Sequence, residues 1–203
     1  INVNNENGLA TLNMMKALTE YSNPDFLTFN SDATQALWEA GDLALATFWG
    51  TRAGPIMDDE GSTEEVTSNT VVASAPFFAG GPRPSSTLWW DGFSIASNVS
   101  DEDAEASFLA MMNGMSKEMV MANNDLAVWL MDGYKPSKAS VGVTETASNG
   151  AAPYPSLPFF GALHGAAGAE LTDFLQGNES AEQALADMEA AYTASAKEKG
   201  FLD

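Results

Sequence analysis

A short helix, a glycine, an apolar strand and a Trp-Gly pair follow one another early in the chain, and this unit constrains the fold most strongly. The helix is predicted over 32–39, with Ser31 or Asp32 as its N-cap and Gly41 as its end. Three runs have the length and composition of strands: 43–49, 70–75 and 90–96. Short strands that alternate with longer helices indicate an α/β fold built in layers.

Helical spacing of apolar residues predicts the remaining helices. The last of them is the best defined, because Ser180 and Gln183 form a capping box. Its predicted buried residues are Leu185, Met188 and Tyr192. Further helices are predicted at 7–21, from Ser100, over 116–123 and up to Gly177. The stretches 58–69 and 134–152 are predicted loops, and 76–86 is a predicted mobile connection rich in proline and glycine.

The charge balance excludes some classes of partner. Only 8 Lys and Arg oppose 28 Asp and Glu, which gives a formal net charge of -20. Phosphate backbones and anionic lipid surfaces would repel such a chain, so we expect no nucleic acid partner. No apolar run approaches the roughly 20 residues that span a bilayer, so direct membrane insertion is not expected. Because cysteine is absent, thiolate chemistry and disulfides are excluded.

Trp49 is the main candidate for a ligand contact. It ends a predicted strand, and Gly50 beside it lets another group come close. An aromatic ring in this setting is a suitable wall for a flat, polar, carbon-rich ligand such as a sugar, whose C–H faces stack on the ring. The alternative is a tryptophan that fills the core at a strand end.

A second aromatic pair, Trp89 and Trp90, stands before Asp91 and Gly92. Neighbouring residues on a strand point to opposite faces, so at most one of these indoles can line the same pocket as Trp49. We expect Trp90 to do so, with the Asp91 carboxylate accepting sugar hydroxyls. The alternative for Asp91 is a plain turn residue.

Tyr154 and Arg52 complete the predicted binding set. Tyr154 lies between two prolines that restrict its direction, and its alternative is a packed loop aromatic. Arg52 and Arg83 are scarce cations that can donate hydrogen bonds to a ligand, although a surface ion pair is the stronger expectation for each. Asp32 is a weaker candidate, because a helix cap explains it.

Enzymatic functions have less support in the sequence. The run 92–96 resembles a nucleophile elbow, but its second glycine is replaced by alanine and no turn into a helix follows. His164 is the single histidine, which excludes sites with two histidine ligands. The acidic stretch 58–65 lacks the register of a calcium loop. We therefore expect no catalytic residue, no metal ligand and no cofactor, although 28 carboxylates leave a glycosidase open.

The order of these pieces resembles the carboxy-terminal half of a carbohydrate-type extracellular solute-binding protein, the binding component of an ABC importer related to maltose- and oligosaccharide-binding proteins. The resemblance rests on the helix, glycine and strand that lead to Trp49-Gly50, on the connection 76–86 with the run 90–97 after it, and on the Ser100 helix. It continues with Tyr154-Pro-Ser-Leu-Pro and the helix from Ser180.

The resemblance implies a two-lobe fold in which hinge strands let the lobes close on a ligand. It implies that 1–91 and 142–203 belong to the carboxy lobe and 92–141 to the amino lobe, so the chain resembles a truncated protein. It further implies a sugar or oligosaccharide ligand, with an aromatic contact near Tyr154, a membrane permease as partner, and a periplasmic or extracellular location, the export signal lying outside this sequence. A carbohydrate-active hydrolase or a carbohydrate-binding adhesion domain is the alternative.

Overall fold

The computed structural model describes residues 1–78 and 80–203, which form two compact units. Unit 1 consists of Ile1–Phe29 and Pro155–Asp203, and unit 2 of Asn30–Tyr154. Ala79, within the predicted connection 76–86, lies outside the described residues. The described residues are 55% helical and contain a two-stranded parallel sheet, which is loosely compatible with an α/β class. The predicted lobe boundaries after residues 91 and 141 stay predictions.

The helices and strands of the described residues are as follows in chain order. The α-helices are α1 (Glu6–Leu18), α2 (Ser31–Glu39), α3 (Ala53–Ile56), α4 (Glu64–Asn69), α5 (Asp101–Gly114), α6 (Lys117–Ala122), α7 (Val141–Ser148), α8 (Pro158–Gln176) and α9 (Ala181–Glu198). The strands are β1 (Thr87–Leu88) and β2 (Ala152–Pro153). Short 3-10 helices occupy Thr19–Tyr21, Phe26–Thr28, Gly50–Arg52, Asn124–Leu126 and Lys138–Ser140.

Unit 1 is a helical structure in which α8 and α9 pack along each other and α1 packs against both. Leu185 of α9 lies in a buried cluster with Leu12 of α1 and Phe174 of α8. A second cluster surrounds Tyr192, which is 4% exposed. The predicted burial of Leu185, Met188 and Tyr192 is confirmed.

Helix termini follow the predicted capping chemistry closely. The hydroxyl oxygens of Ser100, Ser116 and Ser180 each accept a hydrogen bond from the backbone N–H three residues later. Gly177 ends α8 with a φ of +85°, and the Asn178 N–H donates to the Asp173 carbonyl at 2.9 Å.

The predicted N-cap of α2 is wrong by one or two residues. The cap is Asn30, whose side-chain oxygen accepts a hydrogen bond from the Ala33 N–H at 2.9 Å. Asp32 lies in the first turn instead, where a carboxylate favours the positive end of the helix dipole. Gly41 ends the helix as predicted, with a φ of +81°.

All three predicted strands are wrong among the described residues. The runs 43–49, 70–75 and 90–96 are not strands, and the sheet consists only of β1 and β2. A strand exists only when its backbone pairs with a neighbour, and the apolar composition of a run does not supply that neighbour. In this chain the pairing falls on Thr87–Leu88, just before the run that composition favours.

Two predicted loops contain helices. Residues 58–69 include α4, for which Thr63 provides the N-cap by accepting from the Val66 N–H. Residues 134–152 include α7, in which two Val, two Thr and one Gly among eight residues have low helix propensity. Contacts with residues 72–75 hold α7 in place. Along the residues described, no helix is both long enough and apolar enough to pass through a bilayer.

Candidate functional site

The two-stranded sheet brings Trp89 and Tyr154 together. In the parallel register Leu88 lies opposite Pro153, so the next residue on each side is Trp89 and Tyr154. The Tyr154 N–H donates to the Leu88 carbonyl at 2.8 Å and extends the ladder by one bond. The two rings stack with centroids 3.7 Å apart and an interplanar angle of 27°. Residues distant in sequence thus form one aromatic face.

Trp49 contacts this pair through Trp89. Its ring centroid lies 5.5 Å from that of Trp89, and the two indole planes are perpendicular. Trp49 is 52% exposed and Trp89 is 47% exposed, so neither is sealed in the core. We name Trp49, Trp89 and Tyr154 the aromatic platform.

The structure places Trp89, and not the expected Trp90, beside Trp49. Among the ring contacts of the described residues, Trp49 and Tyr154 both contact Trp89. Trp89 follows β1 directly, and its indole N–H donates to the Thr87 hydroxyl at 3.0 Å, which holds it on the face of Thr87. Trp90 is 71% exposed, and Asp91 and Gly92 are also exposed.

Gly50 serves packing in this structure. A Cβ atom at Gly50 would lie 1.9 Å from a Val143 methyl of α7, so only glycine lets α7 approach. The 3-10 helix Gly50–Arg52, which follows Trp49, is thereby packed against α7. This contact supports the position of the Trp49 ring and gives Gly50 a role that needs no ligand.

Arg52 forms a surface ion pair, which is the stronger expectation for this residue. Its guanidinium donates to the Asp32 carboxylate at 2.6 Å and to the Gln35 side-chain oxygen at 3.0 Å. Because the side chains are 32% and 76% exposed, the pair contributes little stability. The interaction orients the guanidinium toward α2. Arg83, the other candidate cation, is exposed.

A small apolar cavity adjoins Trp49 within unit 2. Its volume is about 140 Å³ and its walls come from α2, α3 and two stretches of chain without secondary structure. This is below the roughly 300–1,000 Å³ of pockets that enclose a drug-sized ligand. The cavity is therefore too small to enclose such a ligand. The residues that line it are Thr34, Trp38, Ala46, Phe48, Trp49, Gly50, Ala53, Ile56, Thr70, Val71, Val72 and Ala73.

Unit 1 contains a cluster of carboxylates that the sequence analysis does not anticipate. Oxygen atoms of Glu170, Glu179 and Asp187 lie within 4.8 Å of one another, a spacing that suits oxygen ligands of one cation. The Glu179 Oε1 atom is buried and has no hydrogen-bond partner. Burial, followed by the nearby charges of Glu170, Asp187 and Asp173, raises the pKa of Glu179 above its ordinary value of 4.5.

Replacement of Glu179 by glutamine is expected to stabilise unit 1 near neutral pH. An acid with a raised pKa in the folded state binds its proton more tightly there than in the unfolded chain. The free energy of unfolding therefore falls as pH rises from 4.5 through the raised folded value. Denaturant titrations at several pH values should show a gain for Glu179→Gln that disappears at acidic pH. The exposed Glu20→Gln is the control, and an equal gain in both variants would mean that the environment of Glu179 is not the cause.

The sequence alone does not select Trp89 over Trp90. The two tryptophans are adjacent, and only the register of β1 against β2 places Trp89 beside Tyr154.

No protein-family model matches the chain, and no curated protein matches it either.

Proposed function

We propose that this chain is part of a solute-binding protein that captures a sugar or oligosaccharide on the aromatic platform and delivers it to the permease of an ABC importer. The parent protein would lie outside the cytoplasmic membrane and have two lobes joined by a hinge. The sequence resemblance supports the family, and the platform supports the ligand class. No catalytic step is part of the proposal.

The observation that carries the proposal is the convergence of three half-buried or exposed aromatic rings from three distant positions. Large exposed aromatic surfaces favour association with another molecule. Because about half of each indole is exposed, the platform has the character of a binding surface. The perpendicular planes of Trp49 and Trp89 offer one face for a pyranose ring and a second wall beside it. Asp91, exposed two residues after Trp89, is the predicted acceptor of sugar hydroxyls.

The test is calorimetric titration with a panel of monosaccharides and oligosaccharides, using the chain and its variants. Trp89→Ala is expected to weaken binding of the preferred sugar by about tenfold, because one stacked ring is lost. Trp90→Ala is the matched control and is expected to leave affinity nearly unchanged. Near-ultraviolet circular dichroism of each variant checks that unit 2 stays folded.

Two outcomes would contradict the proposal in different ways. If Trp90→Ala loses affinity and Trp89→Ala does not, sugar binds on the face expected from sequence and the platform is wrong. If no sugar in the panel binds, the ligand class is wrong. Chromatography of the sugars after incubation separates binding from hydrolysis, since turnover would support the carbohydrate-active hydrolase.

A further inference from the structure

Two stretches of unit 2 without regular secondary structure have backbone groups without partners. Residues 45–48 and 71–74 contain no helix, turn or bend. Among the described residues, no N–H or C=O group in either stretch takes part in a hydrogen bond. The chain is extended where the stretches meet their neighbours, with φ and ψ of -62° and 130° at Trp49 and -77° and 127° at Thr70. We name these stretches the unpaired segments.

The unpaired segments have the composition of strands and expose it. Leu45 is 91% exposed and Val71 is 84% exposed, although both are residues that strands usually bury. Both segments line the cavity of about 140 Å³, the first through Ala46 and Phe48, and the second through 71–73. A further strand could form hydrogen bonds with this unpaired backbone and place a side chain in the adjoining apolar cavity.

Hydrogen bonds to α2 and α7 fix the second segment at both of its ends. The Ala75 N–H donates to the Thr146 hydroxyl of α7 at 2.9 Å, and Trp38 of α2 donates to the Thr70 hydroxyl at 3.0 Å. These bonds anchor both ends of 71–74. The Ala73 carbonyl oxygen lies against Gly142 of α7, so a further strand would pair with the opposite edge of the segment. A strand that binds there therefore meets a backbone whose ordering cost is already reduced.

The charge around the segments indicates the chemistry of the partner. Between residues 30 and 75 the chain carries eight acidic residues and a single cation, Arg52, which is already paired with Asp32. Asp42 precedes the first segment, and Glu64 and Glu65 stand in the helix before the second. A second copy of this chain would bring the same net charge of -20 and be repelled. The complementary partner is a peptide with basic residues at its ends.

We propose that the unpaired segments bind an extended peptide strand of about six residues, with β-branched side chains in its centre and lysine or arginine at its ends, by β-strand addition. The strand pairs its backbone with 45–48, with 71–74 or with both, and places an apolar side chain in the cavity. The backbone groups that pair with the peptide lie outside the aromatic platform, but the cavity that receives its side chain shares Trp49 with the platform.

The first experiment uses a blocked synthetic peptide, Lys-Val-Thr-Val-Thr-Val-Lys, and hydrogen exchange measured by mass spectrometry. Amides in 45–48 and 71–74 should exchange rapidly in the free chain, and the peptide should slow exchange in at least one segment by about tenfold or more. A peptide of the same sequence with alternate backbone nitrogens methylated should not slow it. Unchanged exchange, or equal protection by both peptides, would overturn the proposal.

The second experiment removes one backbone donor at a time. Successive N–H groups of an extended chain point to opposite edges, so Ala46→Pro and Thr47→Pro remove donors on opposite sides. If strand addition uses the first segment, one variant should lose about tenfold in peptide affinity and the other should bind as the parent does. Ala46→Ser and Thr47→Ser keep the N–H group and are the matched controls.

The two experiments together identify the segment that pairs. Protection confined to 71–74 places the strand there, and Val71→Pro and Val72→Pro then replace the first pair of variants. Equal affinity for both variants of the protected segment would overturn backbone pairing. Protection that grows with protein concentration in the absence of peptide would show that a second copy occupies the segments, which overturns the proposed partner.

Discussion

Leu185→Ala is expected to lower the free energy of unfolding of unit 1 by about 2–5 kcal/mol. The side chain is 3% exposed and packs with Leu12 and Phe174, so truncation removes buried methyl groups and leaves a cavity where α1, α8 and α9 meet. The cost exceeds the transfer free energy alone, because three long helices cannot all move in to fill the space. Denaturant titration followed by far-ultraviolet circular dichroism measures it.

The matched control for this prediction is Leu18→Ala. Leu18 is the last residue of α1 and is 58% exposed, so the same chemical change removes little buried surface. Its cost should stay within about 0.5 kcal/mol. Equal losses in the two variants would mean that Leu185 does not occupy the core of unit 1.

Gly142→Ala is expected to destabilise unit 2 by about 1–3 kcal/mol, against the usual direction for a helix. Alanine normally stabilises a helix interior by about 1 kcal/mol relative to glycine. In α7, however, a Cβ at this position would lie 2.7 Å from a Val72 methyl and 2.8 Å from the Ala73 carbonyl oxygen. The backbone oxygen cannot rotate away, so α7 must shift and weaken its contact with the chain at 72–73.

The measurement uses the tryptophans, all of which lie between residues 38 and 129 and therefore report on unit 2. The midpoint of the fluorescence transition in denaturant should fall for Gly142→Ala. The control is Gly114→Ala at the end of α5, where nothing lies within 4 Å of the added Cβ. This variant should be neutral or slightly stabilising. A gain in both variants would refute the close packing of α7.

The sequence predicts the helices well where local chemistry decides them. Ser100, Ser116 and Ser180 cap the helices that they are expected to cap, and glycines at 41 and 177 end two others. A cap or a left-handed glycine needs only a few neighbouring residues, so a single sequence contains the whole signal. The amphipathic pattern of α9 is similarly local, and its buried residues follow from it.

The sequence does not predict features that depend on distant partners. Whether 43–49 or 87–88 forms a strand depends on which backbone finds a neighbour, and α7 forms because Gly142 and Thr146 pack and bond to 72–75. The presence of Trp89 in the aromatic platform, where Trp90 is expected, has the same origin. The predicted binding set contains Tyr154 and one indole of the Trp89-Trp90 pair, but the indole that contacts Tyr154 depends on a register one residue away.

Attractive ion pairs are scarce in this molecule. Within residues 1–78 and 80–203 the salt bridge found is that of Arg52 with Asp32, whereas the chain carries 28 carboxylates that repel one another. Dissolved ions screen attraction and repulsion alike, and here there is little attraction to lose. A concentrated electrolyte is therefore a milder solvent for this molecule than fresh water.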